Sequence, residues 1–251
     1  MRPAIQRVPR KAPDFIGVVV PAHNEADRID RSLATIRRAV EHACLQRIAI
    51  EVVVVADSST DTTADRARHA LRQHDSVIEI ERQNAGAARL AGFDRLLCAS
   101  EGLPGEAVWL ATTDADTLVP SDWITRQLQW WRRGADAVAG TVAPLSWWEQ
   151  TSTVQHRYEI HMSLLGTGQG HPHVHGANLG VTKDAYCAAG GMPPIPSGED
   201  RAFCDSVKAV GRTVLHVPDV VVETSTRREG RAPNGFSYLL RTLGRSGNDD
   251  V

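Results

Sequence analysis

The feature that most constrains this chain is a regular alternation of two periodicities over residues 14–142. Ile29, Leu33, Ile36 and Val40 follow one another at the spacing of one helical stripe, and similar stretches separate the apolar runs. Strands that alternate with helices form a mainly parallel sheet with helices on both faces, so an α/β Rossmann-like fold is predicted. Five runs have the length and residue types of buried strands: Ile16–Val20, Ala49–Val55, Val77–Ile80, Ala107–Leu110 and Ala137–Val142.

The alternation stops after residue 142, and the rest is predicted to be a smaller α+β portion of the same globule. No flexible linker separates the parts, so residues 14–142 and 143–240 are interpreted as two halves of one domain. Residues 1–13 and 244–251 are predicted to be flexible. The second half is predicted to contain helices over Thr151–Leu165 and Glu199–Val210, and strands over Ala177–Val181 and Val214–Val222.

Charge and composition exclude several classes of protein. With 28 Lys+Arg against 30 Asp+Glu the formal net charge is −2, which gives no basic surface for nucleic acid. The apolar runs fall far short of the roughly 20 residues that cross a bilayer, and prolines interrupt the basic start where a signal peptide would be apolar. The four cysteines form no C-x-x-C pair and are interpreted as reduced thiols of a cytoplasmic protein. The oligomeric state is left open.

Polar residues follow each of the first four predicted strands. Ligands of open parallel sheets bind outside the carboxyl ends of the strands, so a shared ligand site is predicted there. The first loop matches neither the dinucleotide fingerprint nor the P-loop. The strand ends carry Pro21-Ala22-His23-Asn24-Glu25, Asp57-Ser58-Ser59, Arg82 with Asn84 and Gly86, and Asp114-Ala115-Asp116.

The Asp114-Ala115-Asp116 segment is the sharpest local signal. Residues two apart project to the same side of an extended segment, so both carboxylates can face one cation. Mg²⁺ and Mn²⁺ typically take one or two carboxylates and complete their shell with phosphate oxygens and water. This spacing is common in solvated turns, but at the end of a fourth strand it favours a metal–phosphate site.

Five segments taken in order resemble the family-2 glycosyltransferases with a GT-A fold, over roughly residues 15–222. The segments are V-V-V-P-A-H-N-E, V-V-V-A-D-S-S-T-D-T-T, N-A-G-A-A-R, D-A-D and G-E-D. The resemblance implies transfer of a sugar from a nucleotide diphosphate donor to a hydroxyl acceptor. A UDP-sugar is favoured through the match at Asp57, and guanosine and thymidine stay open as the nucleoside. The resemblance also implies dependence on Mg²⁺ or Mn²⁺; the acceptor (a sugar, a lipid-linked or a small molecule) is left open. Ala56 departs from the family, in which many members have a second acidic residue there.

The resemblance also assigns roles to individual residues. Glu25 and Asp57 are expected to hold the nucleoside, with Asp57 at the base. Asp114 and Asp116 are expected at the metal and diphosphate, with Asp116 the direct ligand. Asp200 matches the base of inverting members; a retaining reaction stays open, because retaining enzymes use this fold too. Glu199 is a second acidic candidate, since a like charge beside Asp200 raises a carboxyl pKa; helix capping is the alternative. The remaining nucleotide-binding candidates are Pro21, Ala22, Asn24, Asn84, Gly86, Arg89 and Ala115.

Residues of the second half supply further candidates, each with a structural alternative. Trp147 and Trp148 are candidates for stacking on a sugar ring, or else pack in the core. His171, His173 and His175 alternate along one segment, which suits an acceptor-site wall together with Asn178, or a transition metal. His216 is a candidate third metal ligand or a core histidine. Arg227, Arg228 and Arg231 form either a solvated tail or a lid that reaches the diphosphate.

Two other functions stay open from the sequence. A sugar-1-phosphate nucleotidyltransferase shares the general architecture, but such enzymes usually carry a glycine-rich basic loop after the first strand, which P-A-H-N-E lacks. A non-catalytic sugar-nucleotide or carbohydrate-binding protein would not need the set Asp57, Asp114, Asp116 and Asp200, all of which are present.

Overall fold

Eight strands and eight α-helices make up the computed structural model, which describes residues 10–44, 48–164, 174–228 and 235–245. Short 3-10 turns lie at Gly105–Ala107 and Gly176–Asn178. The order is β1 (Phe15–Ala22), α1 (Ile29–Cys44), β2 (Ala49–Asp57), α2 (Thr63–Ala70), β3 (Ser76–Ile80), α3 (Ala85–Ala99), β4 (Val108–Thr112), β5 (Thr117–Leu118), α4 (Trp123–Arg132), β6 (Ala137–Pro144), α5 (Ser152–Leu164), β7 (Leu179–Thr182), α6 (Lys183–Ala188), α7 (Glu199–Ala209), β8 (Val214–Thr224) and α8 (Phe236–Arg245).

All eight strands form one sheet, in the order β3-β2-β1-β4-β7-β6-β8-β5. The strands β1 to β4 pair in parallel, as do β6 and β8, whereas β7 pairs antiparallel with both β4 and β6. The strand β5 pairs antiparallel with β8, so six of the eight strands run in one direction. The predicted α/β fold with a mainly parallel sheet is confirmed, and the sheet contains strands of both predicted halves.

The sheet separates two apolar cores, which explains why β1 reads as a continuous apolar run. Ile16, Val18 and Val20 face a core built with α1 and α4. Phe15 and Val19 face the opposite core, built with α3, α6 and α7. Helices therefore cover both faces of the sheet, as predicted.

The neighbours of β6 differ from the simple alternating pattern. A fifth strand of a βα series would be expected beside β4, but β7 is inserted there and runs in the opposite direction. The strand β7 has four residues and follows β6 by 34 residues, so strand periodicity alone gives no sign of this pairing.

Both predicted flexible ends are partly ordered. The guanidinium of Arg10 donates to Asp136 Oδ1 at 2.7 Å and Pro13 is buried, so the described part of the start is fastened to the body. Gly244 and Arg245 lie within α8, which packs on α5 through Leu240, Val154 and Tyr158. Apolar residues at 236, 239, 240 and 243 have helical spacing, a signal that the surrounding arginines and glycines obscured.

Within the described ranges, no helix combines the length and apolar character needed to cross a membrane. The three cysteines whose side chains are described, Cys98, Cys187 and Cys204, are free thiols.

Candidate functional site

Left-handed backbone is concentrated at one edge of the sheet. In the described part of the chain three residues other than glycine have positive φ: Asn24 (51°), Ser58 (51°) and Gln83 (48°). They follow β1, β2 and β3, at the carboxyl ends of three neighbouring parallel strands. Such conformations are unfavourable unless the surroundings impose them, and they cluster at functional sites. The edge predicted from the sequence is therefore also the strained edge of the structure.

Asp57 fastens the loop after β3. Asp57 is 3% exposed. Its carboxylate accepts the backbone N–H groups of Arg82 (2.7 Å), Gln83 (2.9 Å) and Asn84 (2.6 Å), and the hydroxyl of Ser58 (3.0 Å). Burial alone would raise the pKa of Asp57, but these hydrogen bonds outweigh it and hold the pKa below its ordinary value. Asp57 thus shapes the loop that leads into α3.

Replacing Asp57 with asparagine is expected to lower the free energy of unfolding by about 2 kcal/mol at pH 7, because an amide N–H would face a backbone N–H. The lowered pKa means that the folded state favours the carboxylate. That stabilisation is present above the ordinary pKa, near 3.8, and disappears as the pH falls through the lower folded value. Urea denaturation at a series of pH values from 7 downward should therefore show a constant difference above the ordinary pKa and a shrinking difference below it. A difference that stays constant below that pKa would contradict this role.

Asn24 joins the loop after β1 to the loop after β2. Its side-chain oxygen accepts the backbone N–H groups of Thr60 (2.7 Å) and Asp61 (3.3 Å), while its own N–H donates to Ser59 Oγ (3.1 Å). The N–H of Glu25 donates to Thr63 Oγ1 at 2.7 Å. Asn24, predicted to bind nucleotide, thus holds two strand-end loops together in this structure. Pro21 and Ala22 are the last residues of β1 and pair with β2.

Arg89 connects the D-A-D segment to helix α7. The side chain is 4% exposed; Nη2 lies 2.5 Å from Asp114 Oδ1 and Nη1 lies 2.5 Å from Glu199 Oε1. Burial raises the pKa of Asp114 to about 6, with Arg89 opposing the rise. Arg89 itself stays charged, because these carboxylates offset the lowering of its pKa by burial. Glu199, a predicted second acid, is therefore held in a buried ion pair.

Asp200 lies at the start of α7, beside this pair, and is partly exposed. Its Oδ2 accepts the backbone N–H of Gly176 at 2.9 Å, and its Oδ1 accepts that of Arg201 at 2.7 Å. A Cβ at Gly176 would lie 2.4 Å from Arg89 Nη2, so any other residue there would displace the guanidinium of Arg89. No sequence pattern indicated this role of Gly176, whose N–H binds Asp200 and which packs against the guanidinium of Arg89.

The start of α3 is fastened to the connection before α7. The amide nitrogen of Asn84 donates to the carbonyl of Pro194 at 2.9 Å, and its oxygen caps α3 by accepting the N–H of Ala87 at 3.0 Å. A Cβ at Gly86 would lie 2.4 Å from the carbonyl oxygen of Pro193. Asn84, Gly86 and Arg89 thus all join the first half to the second.

Asp116 and Glu25 form a second group of acidic residues, apart from the contacts of Asp114 with Arg89. Ala115, between Asp114 and Asp116 in the sequence, is buried. The Nη2 of Arg227 donates to Asp116 and, at 2.7 Å, to Glu25 Oε1; all three side chains are almost fully buried. Thr224 Oγ1 donates to Asp116 Oδ1 at 3.3 Å. Burial would lower the pKa of Arg227, and the two carboxylates raise it above its ordinary value.

The predicted lid residues differ in position. Arg227 is buried in the acidic pair, which contradicts a solvated tail at this position. The Nε of Arg228 donates to the carbonyl of Glu149 at 2.7 Å, so Arg228 is fastened as well. Arg231 lies outside the described residues, as do His171 and His173.

The acceptor-side candidates are only partly brought together. His175 is half-buried and precedes Gly176, whose N–H contacts Asp200. Trp148 is 89% exposed, whereas Trp147 packs on Tyr158 with ring centroids 5.3 Å apart. Asn178 is fully buried. Its position in the core corrects the prediction that it lines an acceptor site.

The environment of Asn178 explains that correction. Its oxygen accepts the indole N–H of Trp123 at 2.9 Å, and its nitrogen donates to the carbonyls of Thr141 (2.8 Å) and Val220 (2.9 Å). Both of its amide N–H donors and one lone pair of its oxygen are thus used inside the protein. Asn178 therefore joins α4, β6 and β8.

His216 is not brought to the D-A-D segment. It pairs with Ala139 in the sheet, whereas Thr224, which contacts Asp116, pairs with Pro144. Five residues along β6 separate the two rows, which is about 17 Å of strand. The geometry favours the structural alternative for His216.

The carboxylates beside Arg227 are of the chemical type that binds a hard divalent cation. Glu25 and Asp116 converge from two strand ends, and carboxylate oxygens are the ligands that Mg²⁺ prefers. The Arg227 guanidinium already lies between them, so the same oxygens hold a positive centre. Among the described ranges no group of three or more His, Cys, Asp or Glu is arranged to hold a metal by itself. Water and phosphate oxygens would therefore have to complete the shell.

The solved structures that are similar to this chain include glycosyltransferases of the GT-A fold. The mannosyltransferase PcManGT from Pyrobaculum calidifontis, in complex with GDP-Man and Mn²⁺, aligns with a TM-score of 0.61 at 21% identity, over 92% of this chain and 69% of that one. Glucosyl-3-phosphoglycerate synthase from Mycobacterium tuberculosis, with Mg²⁺ and UDP, gives 0.54 at 16%, over 85% and 72%. TarS 1–349 from S. aureus gives 0.57 at 15%, over 91% and 64%.

The family model of Glycosyl transferase family 2 matches residues 17–185, more than half of the chain. The chain therefore belongs to that family, as the ordered motifs predicted. No curated protein matches it.

Proposed function

We propose that this enzyme transfers a sugar from a nucleoside diphosphate donor, with a UDP-sugar favoured, to a hydroxyl acceptor. One observation supports this most: a single buried arginine, Arg89, joins Asp114 of the D-A-D segment to Glu199, next to Asp200. Arg89 thus joins Asp114, the carboxylate suited to the leaving diphosphate, to the residue that directly precedes Asp200, the carboxylate suited to activating a hydroxyl. Sugar transfer needs both at one reacting centre.

The donor half of the mechanism uses the strained strand ends. Glu25 and the loops shaped by Asn24 and Asp57 would hold the nucleoside, and Asp114 and Asp116 would lie at the diphosphate. Asp116 would hold Mg²⁺ or Mn²⁺, which supplies positive charge to the departing diphosphate oxygens when bound. Neighbours that contain UDP or GDP-Man with a divalent metal support this choice of donor and metal.

The acceptor half uses Asp200. A hydroxyl is a weak nucleophile, and a carboxylate that takes up its proton as it attacks the anomeric carbon accelerates the reaction. Asp200 is partly exposed and oriented by two backbone N–H groups, so it suits the base of an inverting transfer. His175 and the exposed Trp148 are proposed to contact the acceptor.

The open alternatives differ in their products, which gives the test. Purified protein would be incubated with UDP-glucose or GDP-mannose, Mn²⁺ and candidate hydroxyl acceptors; we expect release of UDP or GDP and formation of a glycosylated product. A nucleotidyltransferase would instead release pyrophosphate from a nucleoside triphosphate and a sugar 1-phosphate. A binding protein would form neither product. Removal of the metal with EDTA should stop the release of UDP or GDP.

A further inference from the structure

Arg227 joins three parts of the chain that are distant in sequence. Glu25 follows β1, Asp116 follows β4, and Arg227 follows β8, yet one guanidinium nitrogen donates to both carboxylates. The Arg227 side chain is 11% exposed, as is that of Asp116, and that of Glu25 is 7% exposed. Because these three charged groups are largely buried, water and salt screen the attraction between them only weakly. A second cation therefore cannot approach Asp116 without meeting the charge of Arg227.

The other terminal nitrogen of Arg227, Nη1, is suited to bind an anionic ligand. Nη1 is buried and makes no hydrogen bond to any described residue. A buried N–H group without a partner is unfavourable, and a guanidinium fork suits the oxygens of a phosphate. Arg227 thus combines a position between two carboxylates with an unused donor.

We propose that Arg227 competes with the divalent cation for Asp116, and that the diphosphate of the nucleotide relieves this competition by binding the guanidinium. This inference rests on the proposed function, because the diphosphate is what draws Arg227 from the carboxylates. Metal and nucleotide should then strengthen each other's binding by the same factor, as linkage requires.

Mn²⁺ alone is the probe that tests the competition. Its binding would be titrated by electron paramagnetic resonance, without nucleotide, in the wild type, Arg227→Gln and Arg28→Gln. Arg28→Gln is the matched control, because it also removes a guanidinium near this edge but one that pairs with Glu149 at 3.0 Å. We expect Arg227→Gln to bind Mn²⁺ at least about tenfold more tightly than the wild type, and Arg28→Gln to bind it as the wild type does.

Two further variants keep the test decisive. If Arg227→Gln does not fold, Glu25→Gln/Arg227→Gln leaves fewer unpaired charges, and it should bind Mn²⁺ more tightly than Glu25→Gln alone. Adding Asp116→Asn should abolish the gain in either background. Equal Mn²⁺ affinities with and without Arg227, or a gain that persists in the Asp116→Asn background, would overturn the proposal.

The same samples separate this proposal from the proposed function. Titration with UDP and GDP in the presence of Mn²⁺ reports nucleotide binding directly. Binding of a nucleotide with no effect of Arg227→Gln on Mn²⁺ affinity overturns the competition alone. Binding of neither nucleotide overturns the proposed function, and with it the role given to the diphosphate.

Discussion

Replacing Asp200 with asparagine is expected to lower the turnover number by roughly 10²–10⁴ while leaving nucleotide affinity unchanged, the usual range for a lost general base. The amide keeps the shape of the side chain but cannot take a proton from the acceptor. Asp200 lies on α7 in the second half of the chain, where its carboxylate accepts the backbone N–H groups of Gly176 and Arg201. Binding and chemistry should therefore separate in this variant.

Asp205→Asn is the matched control for Asp200, because Asp205 lies on the same helix and is 62% exposed, 3.8 Å from Lys208. It should keep full turnover. Steady-state rates and calorimetric nucleotide affinities would be measured for both variants. A parallel loss of affinity and turnover in Asp200→Asn would assign Asp200 to donor binding or folding, and no loss at all would leave it as a helix cap.

Replacing Arg89 with glutamine is expected to lower the free energy of unfolding by about 3–5 kcal/mol, because it leaves the carboxylates of Asp114 and Glu199 without their buried partner. Urea denaturation at pH 7 would measure the change. The double variant Arg89→Gln/Glu199→Gln should recover part of the loss, since one of the unpaired charges is then removed.

Arg95→Gln is the control for Arg89 on the same helix. Arg95 pairs with Glu51 at 3.1 Å and is 42% exposed, whereas Glu51 is 10% exposed, so the loss of Arg95 leaves one nearly buried carboxylate unpaired, and it should cost less than the loss of the buried Arg89, which leaves two. Equal effects at positions 89 and 95 would contradict the central position given to Arg89.

The fold was predictable because its signals are local. The apolar run of β1 and the helical stripe of α1 follow from residue type and spacing, and both appear in the structure. The insertion of β7 between β4 and β6 was not predictable from the sequence, because nothing in a four-residue strand specifies its neighbours.

The location of the site was predictable, but the contacts of its side chains were not. Parallel strands that end in polar residues define one edge of a sheet, and Asn24, Asp57 and Asp116 lie there. Two of them, Asn24 and Asp57, hold loops together through backbone N–H groups. Sequence patterns do not distinguish an acid that faces a ligand from one that fastens a turn.

The roles of Arg227 and Asn178 depended on long-range packing. Arg227 lies in a basic stretch that suggested solvent, yet it is buried against acids more than 100 positions away. Asn178 follows a histidine-rich segment that suggested a pocket wall, but the indole of Trp123 and two carbonyls bind it in the core. Neither partner set has a signature in the local sequence.

The most direct test of a nucleotide-sugar site at this edge is calorimetric titration of UDP and GDP in the presence of Mn²⁺, using the wild type, Asp116→Asn and Asp200→Asn. We expect one nucleotide to bind the wild type at one site per chain, to bind Asp200→Asn with the same affinity, and to bind Asp116→Asn at least about tenfold more weakly. Failure of both nucleotides to bind the wild type, or unchanged affinity in Asp116→Asn, would contradict a donor site built on the D-A-D segment.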